Sequence, residues 1–193
     1  MKARLEAAGL ASDLAIHDLP DEDLRKLCSV ACYDKKLFRN RLRLKNRWYQ
    51  LLNTHIILDH IAEEFLFQEL PNQGVLKIDR WGLQQKVELL FAMGVITKQT
   101  MDLVTVVNSL RNKAAHQYGF RLGDKHVKIV LDAFPKGFFE EVGYAPTFDN
   151  MMAVMIAFFE TERQEAEFRA LKRKGAFANA ERVLEELKRD LEN

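Results

Sequence analysis

Hydrophobic residues recur at spacings of three and four along most of the chain, which is the pattern of amphipathic helices. The longest such stretch covers residues 44–70 and ends at the turn-forming residues 71–74. A second stretch covers residues 79–93 and stops at Gly94. Thr97 is placed to cap a third helix. The apolar and half-polar positions that form the stripes of these three helices are Trp48, Leu51, Leu52, His55, Ile56, Phe65, Leu66, Leu83, Val87, Leu90, Phe91, Met101, Val104, Val107, Leu110 and Ala114.

The pattern continues on both sides of these three helices. Pro20 followed by acidic residues predicts a helix start, and the periodicity runs from there to Ala31. Gly119 and Gly123 are expected to end the third helix, and the segment 127–131 fits either a short strand or a helical turn. Pro146 and Thr147 open a fourth core helix, whose buried positions are Phe148, Met151, Met152, Met155 and Phe159.

A last amphipathic helix is predicted after Gly175. It has Phe177, Leu184, Leu187 and Leu191 at a spacing of about 3.5 residues. Two heptads are too short for a stable coiled coil, so this helix should dock on the body of the protein or on a partner.

These elements predict an all-α protein, an antiparallel helical bundle with helical extensions at both ends. We expect an N-terminal extension with a basic stretch over residues 1–43, a four-helix core over 44–170 and a C-terminal amphipathic helix over 171–193. The low numbers of Gly (9) and Pro (4) agree with long helices.

Composition narrows the class of protein. Hydrophobic residues make up 48% of the chain and charged residues 30%, as in ordinary globular proteins, and the net charge is only +1. Nucleic-acid binding would therefore need a local basic patch. The longest apolar run, 151–159, is too short to span a bilayer, and no signal peptide is recognisable, so we expect a cytoplasmic protein without a membrane partner. Cys28 and Cys32 would share a helix face as half-buried apolar residues.

The segment Arg111–Tyr118 is where reactive side chains and helix layout converge. Asn112 and His116 are four apart and share a face, whereas Arg111 and His116 lie about 140° apart around a helix. Imidazole can transfer protons at neutral pH, and guanidinium can hold phosphate oxygens, so this group could cleave RNA. Lys113 adds a cation. In the alternative interpretation, His116 is only a cation at the negative end of a helix dipole.

Arg111-Asn112-Lys113-Ala114-Ala115-His116, with the preceding helices, resembles the signature of the HEPN (higher eukaryotes and prokaryotes nucleotide-binding) superfamily over about residues 44–170. That resemblance implies a metal-independent ribonuclease without a cofactor, in a toxin–antitoxin or phage-defence setting, forming 2′,3′-cyclic phosphate ends. Arg111 would bind the phosphate, Asn112 would orient it, and His116, paired across a homodimer, would be the acid and base.

Two features of the resemblance leave alternatives open. One toxin subgroup extends the signature to His-x-Tyr, here His116 and Tyr118, and its tyrosine is adenylylated by a partner; Tyr118 could instead be a half-buried aromatic. The run Val87–Gln99 is similar to the mannitol operon repressor family, which acts through protein partners. This implies a non-catalytic regulator or interaction module as the alternative, and an antitoxin or regulatory protein is a possible partner in either case.

Two further groups could carry chemistry. Lys35, Arg39, Arg43 and Arg47 are four apart, so one continuous helix would present them as a stripe along an RNA backbone, with Phe38, Trp48 and Tyr49 as candidates for base stacking. Otherwise the run is a solvated face. His55, Asp59 and Glu63 form a candidate metal stripe on one helix. The HEPN resemblance implies instead that Asp59, Glu63 or Glu64 contacts Arg111.

Overall fold

The structure is a computed structural model that describes residues 13–72 and 75–192. Within these ranges it is all-α and contains no strand. The helices are α1 (Asp13–His17), α2 (Asp21–Cys28), α3 (Lys35–Leu42), α4 (Arg47–Glu69), α5 (Leu83–Ala92), α6 (Lys98–His116), α7 (Asp124–Asp132), α8 (Phe138–Glu141) and α9 (Phe148–Glu192). A 3₁₀ turn, Ile78–Arg80, precedes α5. None of the helices described is long and apolar enough to cross a lipid bilayer.

The chain divides into two compact units. Of the described residues, those within 31–163 form one unit, and those within 13–30 and 164–192 form the other. The boundary at 163/164 falls inside α9, which supplies residues to both units. The expected core of residues 44–170 thus overlaps with the observed unit of residues 31–163 but has different boundaries.

Side-chain caps fix the starts of the helices in the larger unit. The Asn46 side chain accepts hydrogen bonds from the backbone N–H groups of Trp48 and Tyr49 at the start of α4, at 2.9 and 3.4 Å. Thr97 caps α6 by accepting from the Thr100 N–H at 3.2 Å. Gly94 follows α5 with φ +71°, a conformation that favours glycine. The expected cap at Thr97 and stop at Gly94 are therefore confirmed.

The core of the larger unit forms where α4 packs against α5 and α6. His55 of α4 lies beside Asn108 of α6, and Trp48 lies near His116, so these two helices run antiparallel. Near the C-terminal end of α4, Phe65 packs against Phe159 of α9 with ring centroids 6.2 Å apart. The buried apolar side chains of α4, α5, α6 and α9 in this unit are Leu51, Leu58, Ile61, Ala62, Phe65, Leu66, Leu83, Val87, Leu90, Leu103, Val104, Val107, Leu110, Phe148, Met151, Met152, Met155, Ile156 and Phe159.

The smaller unit has its own apolar cluster. Leu24 and Cys28 of α2 pack with Phe168 and Leu171 of α9, and Ile16 of α1 joins them. The Arg25 guanidinium stacks over the Phe168 ring at 4.0 Å. This cluster joins residues from the beginning and the end of the described chain.

The structure corrects several sequence-based expectations. The helix predicted to reach Ala31 ends at Cys28, so Cys28 and Cys32 do not share a helix face. The undecided segment 127–131 lies in α7. Gly175 does not precede a new helix, because α9 continues through it. Ile56 is exposed rather than part of the buried stripe of α4.

Candidate functional site

The Arg111–His116 segment is the C-terminal part of α6. The buried stripe of this helix ends at Leu110, which is 2% exposed. Arg111 is half-buried, and Asn112, Lys113 and His116 are exposed. After His116 the backbone becomes extended at Gln117, and Gly119 has φ +75°. The motif thus lies at the point where the helix leaves the core.

Within the motif, Arg111 and Asn112 are in direct contact. The Arg111 Nη1 donates to Asn112 Oδ1 at 3.2 Å. The His116 imidazole makes no hydrogen bond to any residue that the structure describes, so both ring nitrogens are available. A single chain therefore presents one free imidazole and one guanidinium held by its neighbour.

A polar network leads from α5 to the motif through α6. The Gln84 amide donates to Glu88 at 2.9 Å and to Thr105 Oγ1 at 3.3 Å, and Asn108 donates to Gln84 at 3.5 Å. His55 Nε2 donates to Asn108 Oδ1 at 3.2 Å. Asn108 is about one turn of α6 before Arg111, so the network ends one turn from the motif.

The environment of His55 disfavours the charged form of its imidazole. Burial lowers the pKa of its imidazole, and the nearby charge of Arg111 lowers the pKa further, against the opposing effect of the hydrogen bond with Asn108. A neutral His55 avoids placing a second positive charge beside Arg111.

The carboxylates of α4 have a partner other than Arg111. Lys86 of α5 is only 1% exposed at its side chain, and its Nζ lies 3.0 Å from Asp59 Oδ1 and 2.9 Å from Glu63 Oε2. The Lys86 ammonium occupies the position between these two carboxylates that the metal-stripe hypothesis gave to a cation. Glu64 is exposed. The sequence pattern did not reveal Lys86, because it lies on the apolar face of α5.

A buried cluster near the end of the larger unit involves Cys32. Its Sγ donates to Glu160 Oε2 at 3.3 Å, and Arg163 donates to the same carboxylate at 2.8 Å. Burial and the charge of Glu160 raise the pKa of the Cys32 thiol to about 12. The thiol is therefore protonated at neutral pH and is a poor nucleophile.

Two adjoining depressions surround the segment that follows the motif. The first, of about 560 Å³, is lined by Trp48 of α4 and by residues from Ala114 to Phe120 and Leu122, including His116. The second, also about 560 Å³, is lined by Lys113, Gln117–Phe120, Arg121, Lys125 and His126. Residues 117–120 line both. Tyr118 on this shared rim is fully exposed, so the expectation of a half-buried aromatic is wrong.

The basic run of residues 35–47 does not form one stripe. Arg39 lies on α3, Arg43 follows the end of that helix, and Arg47 begins α4. Arg43 and Arg47, with Lys45, line a third depression of about 510 Å³, whereas Arg39 lines none of the three. Arg47 forms an ion pair of 2.8 Å with Asp124 at the start of α7.

The aromatic side chains proposed for stacking differ in exposure. Phe38 is buried at 6% exposure, Trp48 is half-buried and Tyr49 is 52% exposed. Trp48 alone of the three lies in the same depression as His116. The structure thus places Trp48 with the motif and leaves Phe38 in the core.

In comparisons with known proteins, no family model, no curated protein and no solved structure matches the chain.

Proposed function

We propose that this protein is a HEPN-type, metal-independent endoribonuclease that cleaves RNA through Arg111 and His116 in a toxin–antitoxin or phage-defence setting. The observation that supports it best is the exposure of the free His116 imidazole in a depression that adjoins a second one lined by the cations Lys113, Arg121 and Lys125. An exposed phosphodiester backbone could reach such a surface, and cations would hold it there.

The reaction needs a base, an acid and a positive charge. A base removes the proton of the ribose 2′-hydroxyl, and the 2′-oxygen attacks the adjacent phosphorus. The bond from phosphorus to the 5′-oxygen then breaks, and an acid gives that oxygen a proton, leaving a 2′,3′-cyclic phosphate and a 5′-hydroxyl. Arg111 stabilises the extra negative charge in the transition state, and Asn112 orients the guanidinium through the hydrogen bond of 3.2 Å.

One imidazole cannot readily serve both sides of the phosphorus. We infer a two-fold dimer that places two copies of His116 across one groove, one as base and one as acid. The exposed polar surface formed by Asn112, Lys113 and His116 would face this groove.

The decisive experiment measures RNA cleavage by purified variants. His116→Ala should lower the rate by at least about 100-fold, and Arg111→Ala by a similar factor, because each removes a group that acts in the transition state. Lys128→Ala is the matched control, since Lys128 is an exposed cation already paired with Asp132 at 2.9 Å. Cleavage should persist in a chelator and yield cyclic phosphate ends. Cleavage that survives His116→Ala, or that stops on chelation, contradicts the proposal.

A second candidate function is favoured by the C-terminal part of α9. Phe177, Val183, Leu184 and Leu187 are between 41% and 71% exposed there, and large apolar side chains exposed together on one helix are typical of a protein interaction surface. In this candidate the protein is a non-catalytic regulator or interaction module, and the face is covered by the same helix of a second copy.

Charge complementarity points to a second copy as the occupant. Glu181 and Lys188 flank the apolar positions, and an antiparallel two-fold pairing would bring each Glu181 opposite the partner's Lys188. The Leu184→Glu, Leu187→Glu double variant should then be monomeric, while His116→Ala would change neither RNA decay nor growth on expression. RNA cleavage that depends on His116 would exclude this candidate.

A further inference from the structure

The second depression beside the motif is lined by cations from three successive parts of the chain. Lys113 comes from the last turn of α6, Arg121 from the following loop and Lys125 from the first turn of α7. Its lining includes no carboxylate side chain. A depression with several cations and no acidic residue has the electrostatic character of an anion-binding site.

These cations take part in no ion pair within the described part of the chain. Within the ranges that the structure describes, none of Lys113, Arg121 and Lys125 is paired with a carboxylate, whereas nearby Arg47 and Lys128 have Asp124 and Asp132 as partners. Holding three like charges near one another costs free energy unless a counter-charge is supplied. The missing counter-charge is expected from a ligand.

His126 and the aromatic rim shape the same depression. The Gly123 N–H donates to His126 Nδ1 at 3.2 Å, so the neutral ring has its proton on Nε2. The His126 ring packs against Phe120 at a centroid distance of 4.8 Å. Tyr118 is fully exposed and lines both this depression and the His116 depression.

We propose that Lys113, Arg121 and Lys125 form a second phosphate subsite, which binds a phosphodiester of the RNA strand next to the one cleaved at His116. A base of that strand stacks on Tyr118 between the two subsites. The substrate is therefore single-stranded RNA of at least three nucleotides, because a dinucleotide has only the scissile phosphate. This inference takes its substrate class from the proposed ribonuclease function.

The length of the substrate provides the test. For the wild-type protein, kcat/KM should be higher on a hexanucleotide than on a dinucleoside monophosphate. Replacing Arg121 or Lys125 by Gln should lower the ratio of these two values by about tenfold each, the effect of one lost charge-assisted contact. The change should lie in KM rather than kcat, because the subsite binds substrate and transition state alike. Lys128→Gln is the control and should keep the wild-type ratio.

A binding measurement separates this inference from the proposed function. An all-2′-O-methyl hexanucleotide cannot be cleaved, and its affinity can be followed by fluorescence anisotropy at several salt concentrations. Each of Arg121→Gln and Lys125→Gln should reduce the slope of log affinity against log salt by about 0.7, with thermal unfolding unchanged.

An unchanged slope and an unchanged length ratio would overturn the subsite, even if His116-dependent cleavage is found. Absence of cleavage by the wild-type protein would instead overturn the proposed function. In that case a reduced slope in the variants would still support phosphate binding in the depression.

Discussion

At the residue scale, Lys86 shows how burial and charge are reconciled in this protein. Its side chain is 1% exposed on a helix face otherwise formed by Leu83, Val87 and Leu90, and two carboxylates of α4 compensate its charge. The sequence placed His55, Asp59 and Glu63 on one stripe correctly, but their partners come from other helices. Periodicity within one helix cannot identify a partner that packing supplies.

Removing Lys86 should destabilise the fold strongly. Lys86→Ala leaves Asp59 and Glu63 with uncompensated charges and opens a cavity, so we expect a loss of about 3 kcal/mol or more in the free energy of unfolding, measured in urea. Lys98→Ala, which removes an exposed ion pair with Asp102, should cost about 0.5 kcal/mol or less. Equal losses in the two variants would show that Lys86, paired with Asp59 and Glu63, contributes no more to the free energy of unfolding than an exposed ion pair does.

His55 should make stability depend on pH. Its pKa is lowered in the folded protein, so the unfolded chain binds a proton first as the pH falls. The stabilising contribution is complete above the unfolded pKa of about 6.5 and is lost as the pH falls from there through the folded pKa. The melting temperature should therefore drop below pH 6.5, and His55→Gln should flatten this dependence. The pKa of His126 is also lowered, so this residue will still make the stability of the His55→Gln variant depend on pH. A His55→Gln profile parallel to that of the wild type would contradict this account.

At the scale of elements, the sequence predicted the helices that have strong caps and uninterrupted stripes. The sequence predicts the cap at Thr97, and the start of α9 at Phe148 agrees with the Pro146–Thr147 signal. It places the start of α4 at residue 44 and misses the cap at Asn46. Gly175 was misread because a glycine usually ends a helix. Here it lies inside α9, and a Cβ at this position would come within 2.9 Å of the His17 backbone. Only the packing of α1 explains the glycine.

Whether Gly175→Ala stabilises or destabilises the protein tests this explanation. In an ordinary helix interior, Gly→Ala stabilises by roughly 0.5–1 kcal/mol. At Gly175 the added methyl group would collide with the backbone of α1, so Gly175→Ala should destabilise by about 1–3 kcal/mol in denaturant unfolding. Gly82→Ala, where a Cβ meets nothing within 4 Å, is the control for an added methyl group without a collision, and because Gly82 is the N-cap of α5 it should cost about 1 kcal/mol or less. A more stable Gly175→Ala protein would refute the close packing.

At the scale of the whole molecule, the net charge is only +1, yet the cations Lys113, Arg121 and Lys125 line one depression. The motif itself could be located from the sequence because Arg111 and His116 lie within one helix. Arg121, Lys125 and His126 could not be assigned to the site, since they have no periodic pattern and join Lys113 only when α7 packs on α6. The basic run was overestimated for the opposite reason: its regular spacing crosses a break between α3 and α4.

Assembly is the property of the whole molecule on which the proposed mechanism depends. Light scattering at micromolar concentration should give twice the 22.4 kDa mass of one chain. If the motif surface forms the interface, the dimer should persist in the Leu184→Glu, Leu187→Glu variant, whose changes lie on the exposed face of α9. A monomeric wild-type protein would contradict the two-histidine mechanism, and a dimer lost in this variant would assign the interface to α9.

The small cluster that joins residues from before and after the larger unit has a consequence for protein synthesis. Residues 31–163 form a contiguous unit, so they can fold as soon as they have left the ribosome. Leu24 and Cys28 emerge earlier, but their partners Phe168 and Leu171 are made only after the whole of the larger unit. We therefore expect the cluster around Leu24 and Cys28 to form after the larger unit has folded.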